Sequence, residues 1–590
     1  MAVFRISVRR LLLVQFLWHA LLLPISSQND GVCEKDANCL LKRSEAEVWR
    51  LNSEQYPSLN MHRYTFIHRF YPFLRFLADC YFALVDGIFE LYNAFQPVQH
   101  VNWKNASKLL FIPAQQAAQM IRQRNLTSTD LVSAYISRIK EVNPLLNAVA
   151  HENFNNALKE AAQLDSQLAK MNASKRNALA DSKPLYGVPF TCKDNIWNKG
   201  FVTGAGNPYL IRNGLPASDD ATIVKRMKTA GAILVAITVL PNLGLSWACD
   251  DSGYGIANNP HDTRRITGGS SAGEGALITS GASLCGIGND IGGSVRIPSN
   301  MNGVFGLKPT SYPDHIVTFD GLVPAGLAAY QPAVNLLSNG LLCRYATDLP
   351  IALSILAGKN VTNYAMEVNF AKGMRLFYLE DLNILISQSL QPEPRNVVRQ
   401  VKRYFEQKYN STVQKVEFPL MSRMYELFYV DPWSPGILSF DELKTMFRQI
   451  YAGEANATFL QWEFEAMKRF LVPKDDEERN FVAEKKEKLR TQMANLLGQN
   501  GVLLTPVWPT SAPFHHMEPF TSFNIQYTLL VNVLGFPALA VPVGKSSSTN
   551  MPLGVQLIAA PFNEALLIAV ARELERAFGG WVKPGEGPRK

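Results

Sequence analysis

One lysine and two serines in this chain have the types and the setting for acyl transfer. Ser270 lies in Thr267-Gly268-Gly269-Ser270-Ser271-Ala272-Gly273-Glu274-Gly275, and Ser294, 24 residues further on, lies in Asp290-Ile291-Gly292-Gly293-Ser294-Val295-Arg296. Lys193 is upstream of both, in Gly187-Val188-Pro189-Phe190-Thr191-Cys192-Lys193-Asp194. A serine hydroxyl is a poor nucleophile until a neighbour takes its proton. No histidine lies near Ser294 in sequence, so Lys193 is the candidate base. It must be neutral to act, and burial lowers a lysine pKa. A second serine can relay the proton, inward during attack and outward to a leaving amine; Ser270 has that role available. Gly268, Gly269 and Gly273 permit an unusual backbone around it. Ile291, Gly292, Gly293 and Ser294 would present successive N–H groups to a carbonyl oxygen, an oxyanion hole made of backbone. Asp290 and Arg296 flank that loop and could pair beneath it. Singly, a Gly-rich serine loop is usually a turn and a lone lysine is usually solvated; the conjunction carries the reading.

The elements that must position these residues read as one α/β unit from about Leu109 onward. Gln115 to Val142 has helical periodicity, with Thr127-Ser128-Thr129-Asp130 as the start of a second helix. Thr222–Gly231 followed by Ala232–Ala236 reads as helix, glycine stop and buried strand. Ala272–Gly281 followed by Ser283–Gly288 repeats the pattern, and Lys474 to Leu497 reads as a charged amphipathic helix. Val502–Pro506 and Ala538–Val543 read as short buried strands. Alternating strands and helices predict a mostly parallel or mixed sheet with helices on both faces. The 590 residues are 47% hydrophobic and 18% charged, a globular composition. The net charge of +8 is spread without a long basic run, which argues against a nucleic-acid partner. The seven cysteines include no Cys-x-x-Cys pair and the histidines no metal-ligand spacing, so no metal and no cofactor is expected. Cys33 and Cys39 could pair in a lumenal protein; the others read as buried thiols, Cys192 among them.

Arg5, Arg9 and Arg10 precede an apolar run from Leu11 to Leu23 and then Pro24-Ile25-Ser26-Ser27. Basic, apolar, small is the layout of a secretory signal, so residues 1–27 read as a signal peptide or an uncleaved anchor. The run falls short of the ~20 apolar residues that a span needs. Six Asn-x-Ser/Thr sequons, at Asn105, Asn125, Asn172, Asn360, Asn410 and Asn456, fit a glycoprotein of the secretory pathway, secreted or held on an endomembrane. Within residues 28–108, the aromatic stretch 64–95 carries Arg69, Pro72, Arg75, Asp79, Asp86 and Glu90, which argues against a bilayer span. Leu77, Phe82, Leu84, Ile88 and Leu91 leave a broad apolar face at helical spacing. That face fits a helix packed on the catalytic body or one lying on a membrane surface.

The block from Gly268 to Pro309 resembles the defining stretch of the amidase signature family: Gly-Gly-Ser-Ser, Glu274-Gly275-Ala276, Gly288, Asp290 to Ser294, Arg296, Pro298, Asn302-Gly303 and Phe305 to Thr310. Ala272 stands where many members have glycine. The likeness extends from Pro184–Pro189 to Gly535-Phe536-Pro537-Ala538 and Pro552–Gln556, about residues 109–582. It implies a catalytic domain over 109–590 with the amidase signature fold, a mixed twisted central β-sheet covered by helices on both faces. It also implies Ser294 as acyl nucleophile, Ser270 as relay serine with a cis peptide, Lys193 as base and Ser271 as a supporting hydroxyl. Within the family the chain is most similar to the animal fatty-acid amide hydrolase 2 branch. The residues that carry this are Asn258-Asn259-Pro260, Cys343–Leu349, His515-His516, Pro561-Phe562-Asn563 and Phe578–Val582. That likeness implies hydrolysis of a lipid amide at a membrane surface and admits a second copy of the chain as a partner. By its place in the resemblance, the segment Pro241–Trp247 lines the acyl side of the pocket, with Gly244, Leu245 and Ser246 as the candidate contacts. Tyr425 to Ile450, with Phe428, Tyr429, Trp433, Leu438 and Phe440, is either a hydrophobic mouth or ordinary core.

Four alternatives stand beside this reading. Gly269-Ser270-Ser271-Ala272-Gly273 fits Gly-x-Ser-x-Gly, with Ser271 as an elbow nucleophile, although Thr263–Thr267 is a poor buried strand. An amidase-like subunit feeding ammonia to a partner is a second, which the secretory start opposes. An enzyme of small non-lipid amides or esters and a silent lipid-binding homologue complete the set.

Overall fold

The computed structural model describes residues 62–586 apart from 324–330, 361–362, 431–435 and 453–456. The expected signal or anchor, Cys33, Cys39, Trp433 and Asn456 lie outside the described residues. Eleven strands form one sheet: β1 (Val149–Glu152), β2 (Pro189–Lys193), β3 (Ile233–Thr238), β4 (Cys285–Asp290), β5 (Phe305–Lys308), β6 (Ser338–Cys343), β7 (Arg375–Tyr378), β8 (Val413–Lys415), β9 (Gly501–Pro506), β10 (Ala538–Lys545) and β11 (Pro552–Ile558). Their order is β1-β3-β2-β4-β6-β5-β10-β11-β9-β7-β8. Strand β2 runs parallel to both β3 and β4, whereas the pairs from β4 through β6, β5, β10 and β11 to β9 are antiparallel. The sheet is therefore mixed, as expected. Strands β2, β3 and β4 are wholly buried, and β3, Ile-Leu-Val-Ala-Ile-Thr, accordingly reads as a near-continuous apolar run rather than an alternating one.

Helices form where the sequence supplies both a stripe and a cap. The expected helix pair appears at Ala114–Arg122 and Ser128–Leu146, and the Thr127 side chain accepts from the Asp130 N–H at the start of the second. The helix at Thr222–Thr229 ends before Gly231, whose φ is +85°, and β3 follows. The charged helix runs Asp476–Leu497, capped by Asp475.

We number the helices that bear on the site α1 (His62–Ala94), α2 (Ala272–Thr279), α3 (Arg296–Asn302), α4 (Met424–Tyr429), α5 (Phe459–Leu471), α6 (Glu518–Thr521) and α7 (Gln526–Leu534). Helix α2 is buried on all sides. A Cβ on its Gly273 would stand 2.3 Å from the Ala148 carbonyl oxygen and 2.7 Å from the Val239 nitrogen. Only glycine lets this helix lie so close to the chain before β1 and after β3.

Helix α1 has two apolar stripes rather than the single face read from the sequence. Ala78, Phe82, Val85 and Phe89 are buried, the last two against Phe514, Met517 and Phe520. Phe73, Phe76, Leu84 and Leu91 are more than half exposed. Leu84 and Leu91 thus sit opposite Phe82, and Cys80, expected to be buried, lies exposed beside them. The charges that argued against a span dock the helix: Arg75 donates to the Ser387 carbonyl (2.8 Å) and pairs with Asp79 (2.8 Å), and Gln388 donates to Asp86 (3.1 Å). Among the described residues, no helix is long and apolar enough to cross a membrane.

If α1 is part of the folded body, truncating its buried side is a core mutation. Phe89→Ala should lower the stability in urea unfolding by about 3 kcal/mol, the cost of removing a packed Phe from a core. A change below about 0.5 kcal/mol would mean that the helix is not part of the cooperative unit.

Candidate active site

Because β2, β3 and β4 are parallel, their carboxyl ends meet at one edge of the sheet, where α/β folds place their crevices. Lys193 ends β2, Thr238 lies opposite it in register at the end of β3, and Asn289-Asp290 ends β4. The Lys193 side chain is fully buried. Its Nζ lies 2.8 Å from Ser270 Oγ and 2.7 Å from Asn289 Oδ1. Burial pushes its pKa down to about 7, against weaker opposing pulls from Asp290, Cys249 and Glu274. In the neutral form Nζ can donate to Asn289 and hold its lone pair toward the Ser270 hydroxyl, the state a base requires. The peptide bond from Gly269 to Ser270 is cis.

Ser294 follows β4 and precedes α3. Its carbonyl accepts from the Ser271 N–H at 3.1 Å, which ties the two serine loops together. No hydrogen bond joins Ser270 Oγ to Ser294 Oγ among the described residues; such contacts often close only with substrate bound. The loop between β4 and Ser294 is clamped by Asp290, as its position suggested. Asp290 Oδ1 accepts from the Gly293 N–H (2.8 Å) and Oδ2 from the Val295 N–H (3.1 Å). Arg296 donates to both carboxylate oxygens, at 2.8 and 3.0 Å, with both side chains fully buried. Burial opposes ionisation of Asp290, yet the Arg296 guanidinium holds its carboxyl well below the usual range. The Gly293 N–H is therefore occupied, which corrects the expectation that all four loop amides face the substrate. Those of Ile291, Gly292 and Ser294 have no acceptor among the described residues.

Ser271 acts through its backbone. Its hydroxyl is buried without a hydrogen-bond partner among the described residues, packed where a Cβ on Gly288 would be 2.5 Å away. Nor does a strand precede it; residues 263–267 form only isolated bridges. An elbow nucleophile at Ser271 has neither access nor the strand it needs. Cys192 is fully buried and its thiol is pushed up by burial, so it is a core residue.

Ser294 opens onto a cavity whose walls are almost entirely apolar. Gly244, Leu245 and Ser246 line it together with Gly292, Ile297 of α3, Phe428 of α4, Leu460, Gln461 and Phe464 of α5, and Ile525 and Leu529. Ser246 contributes backbone, since its hydroxyl is held 2.8 Å from the buried Glu518 of α6. Of the aromatic stretch, Phe428 reaches the cavity, whereas Tyr429 is core and donates to the Phe464 carbonyl, and Phe440 is exposed.

Several residues at the site went unread in the sequence. Asn289 was one, although a polar residue near the end of a buried strand must find a partner. Glu274, quoted only within a longer likeness, accepts from Thr191 Oγ1 of β2 at 2.5 Å and Thr238 Oγ1 of β3 at 2.9 Å, pinning α2 beneath Lys193. Asn532 and Gln556 take further Arg296 donors at 2.6 Å each. Among the described residues no three ligating side chains gather to hold a metal.

The base sets a pH dependence. If Lys193 is the base, kcat/KM should rise as pH passes upward through about 7, since burial favours the uncharged amine above that value. Unfolding restores the ordinary value of 10.5. The unfolded chain then binds the extra proton between about 7 and 10.5, so this group's contribution to stability grows with pH across that window. A pH-rate profile flat from 6 to 9 would remove Lys193 from the mechanism.

The family model described as Amidase matches residues 130–568. Fatty-acid amide hydrolase 2-A of Danio rerio is 35% identical over 87% of this chain and 98% of that protein. Fatty-acid amide hydrolase 2 of Homo sapiens is 32% identical over 81% of this chain and 91% of that protein. A solved structure of a fatty acid amide hydrolase matches with a TM-score of 0.66 at 20% identity, covering 80% of this chain and 86% of that one, a likeness of fold. With a match of this extent, the chain belongs to the amidase signature family and is an amide-hydrolysing enzyme.

Proposed function

We propose that this enzyme is a serine amidase that hydrolyses lipid amides to free fatty acid and amine through an acyl-enzyme on Ser294. The observation that carries the reading is the apolar cavity at Ser294, one loop away from a buried Lys193–Ser270 pair. The names of the similar proteins from Danio rerio and Homo sapiens support the same substrate class.

In this scheme Ser294 Oγ attacks the amide carbonyl while its proton passes to Ser270 Oγ, and the proton of Ser270 passes to Lys193 Nζ. The carbonyl oxygen, now an oxyanion, takes hydrogen bonds from the free amides of the 291–294 loop, preorganised donors of the kind that contribute most to such reactions. The relay then runs outward to protonate the leaving nitrogen, because a neutral amine leaves far more readily than its anion. Water, activated by the same relay, releases the fatty acid and restores Ser294.

A serine-reactive fluorophosphonate tests this directly. The adduct should map to Ser294 by mass spectrometry, and Ser294→Ala should abolish both labelling and hydrolysis. Lys193→Ala should lose most activity and recover part of it at high pH. Turnover by Ser294→Ala near that of the wild type would sink the mechanism. Hydrolysis confined to short amides or esters would replace the lipid substrate with small ones, and lipid binding without labelling would mark a silent homologue.

We also propose that the enzyme works at a membrane surface of the secretory pathway. The exposed stripe of α1, with Phe73, Phe76, Leu84 and Leu91 more than half exposed, presents aromatic and aliphatic groups as interfacial helices do. The basic-then-apolar order of residues 5–23 supports that compartment. Phe73→Glu with Phe76→Glu should reduce co-sedimentation with phosphatidylcholine vesicles several-fold while labelling of Ser294 persists. Unchanged co-sedimentation would place the membrane contact elsewhere.

A further inference from the structure

Asn195 lies two residues past Lys193, in the turn that leaves β2. Its side chain makes no hydrogen bond to Lys193, Ser270 or Ser294 among the described residues, yet it is buried and its place is fixed. The Asn195 carbonyl accepts from the Val323 N–H at 2.9 Å, and the N–H groups of Asp194 and Ile196 on either side donate to the Thr238 and Lys193 carbonyls at 3.1 Å each. Asn195 Oδ1 accepts from Asn289 Nδ2 at 2.7 Å, and Asn289, also buried, turns its own Oδ1 to Lys193 Nζ at 2.7 Å. A line of hydrogen bonds therefore runs from Asn195 through Asn289 and Lys193 to Ser270 Oγ.

Which end of the Asn289 amide faces the amine decides what the amine can do. A neutral amine has two N–H donors and one lone pair, and the lone pair is what takes a proton from Ser270. With the amide oxygen inward, Nζ donates to Asn289 and keeps its lone pair for Ser270. The same oxygen then meets the ammonium once the proton has arrived. With the amide turned over, Asn289 Nδ2 would compete with Ser270 for the lone pair and would face the ammonium as donor against donor. Turning it over would also set the Asn289 oxygen against the Asn195 oxygen, two buried acceptors with no hydrogen between them, which is costly.

The ionisable groups that act on Lys193 come from three places: Asp290 at the end of β4, Cys249 in the segment after β3 and Glu274 of α2. Asp290 is paired with Arg296, the Cys249 thiol is pushed up by burial, and Glu274 is held by two threonine hydroxyls. Among the described residues the aim of Nζ thus rests on its hydrogen bonds to Ser270 and Asn289.

We infer that Asn195 is a positioning residue for the base: by accepting from the Asn289 amide it keeps the Asn289 oxygen on Lys193, and so keeps the lysine lone pair on Ser270. The inference rests on the Lys193–Ser270–Ser294 relay proposed above and adds the two amides that aim it.

The test is the second-order rate of Ser294 labelling by a fluorophosphonate, measured across pH on the full-length enzyme, which reads the relay without assuming a substrate. Asn195→Leu, similar in size but without an acceptor, should label about 10-fold more slowly at every pH. In an Asn289→Ala background the same change should have less than about a 2-fold effect, because the group through which it acts is gone. Asn195→Asp keeps the acceptor and adds a charge. It should label within about 3-fold of the wild type at high pH, while the rising limb moves up by about one pH unit, since a nearby carboxylate favours the charged lysine. Equal losses from Asn195→Leu with and without Asn289, or a limb that Asn195→Asp leaves in place, would overturn the inference and leave the relay standing. If Asn195→Leu does not fold, the Asn195→Asp limb decides alone. A wild-type labelling rate that is flat through neutral pH would remove Lys193 as the base and this inference with it.

Discussion

The proposed mechanism depends on one amine kept out of water. Lys193 could not serve as a base on the surface, where it would carry its charge; at the end of β2, fully buried, it loses that charge near neutral pH. The neighbourhood is consistent with a neutral group. Asn289 offers a neutral carbonyl oxygen rather than a carboxylate. Of the two acids that pull on the lysine, Asp290 is held by Arg296, and Glu274 is pushed up to about 7 by burial and is occupied by two threonine hydroxyls. A second carboxylate free to ionise against Nζ would hold the lysine charged and silence it.

A short distance away the same interior solves the opposite problem. Asp290, equally buried, keeps its charge because Arg296 satisfies it, and the remaining Arg296 donors go to Asn532, Gln556 and the Thr528 carbonyl. Such a pair adds little to net stability, but breaking it by removing one partner typically costs about 3–5 kcal/mol. Its return is rigidity: the carboxylate grips the amides of Gly293 and Val295, so the amides of Ile291 and Gly292 are fixed before a substrate arrives. In the proposed mechanism one buried group gives up its charge to react, while the other keeps its charge and serves as a frame.

The parts of this arrangement that were legible in the sequence are those written in local pattern. Strand β3 shows as an apolar run after a glycine stop, the helix starting at Ser128 shows by its cap, and the Gly-Gly-Ser loops show by composition. Asp290 and Arg296 were readable as a pair because six residues separate them. What local pattern does not encode is which distant strand end faces which loop. Asn289 is 96 residues from Lys193, and Glu274 reaches Thr191 across 83. The two stripes of α1 were merged into one because spacing gives the angle around a helix and not the side that the body covers. The occupied Gly293 amide was missed because backbone donors look alike in sequence.

The clamp on the oxyanion loop has a consequence for biosynthesis. Arg296 is held by Asn532, 236 residues later, and by Gln556, 260 residues later. A nascent chain has made Lys193, Ser270 and Ser294 long before it has made either amide. Throughout that interval the three residues exist without the frame that aims them. The frame therefore closes only after residue 556 has been made, and a chain cut short of it carries the three residues without their support.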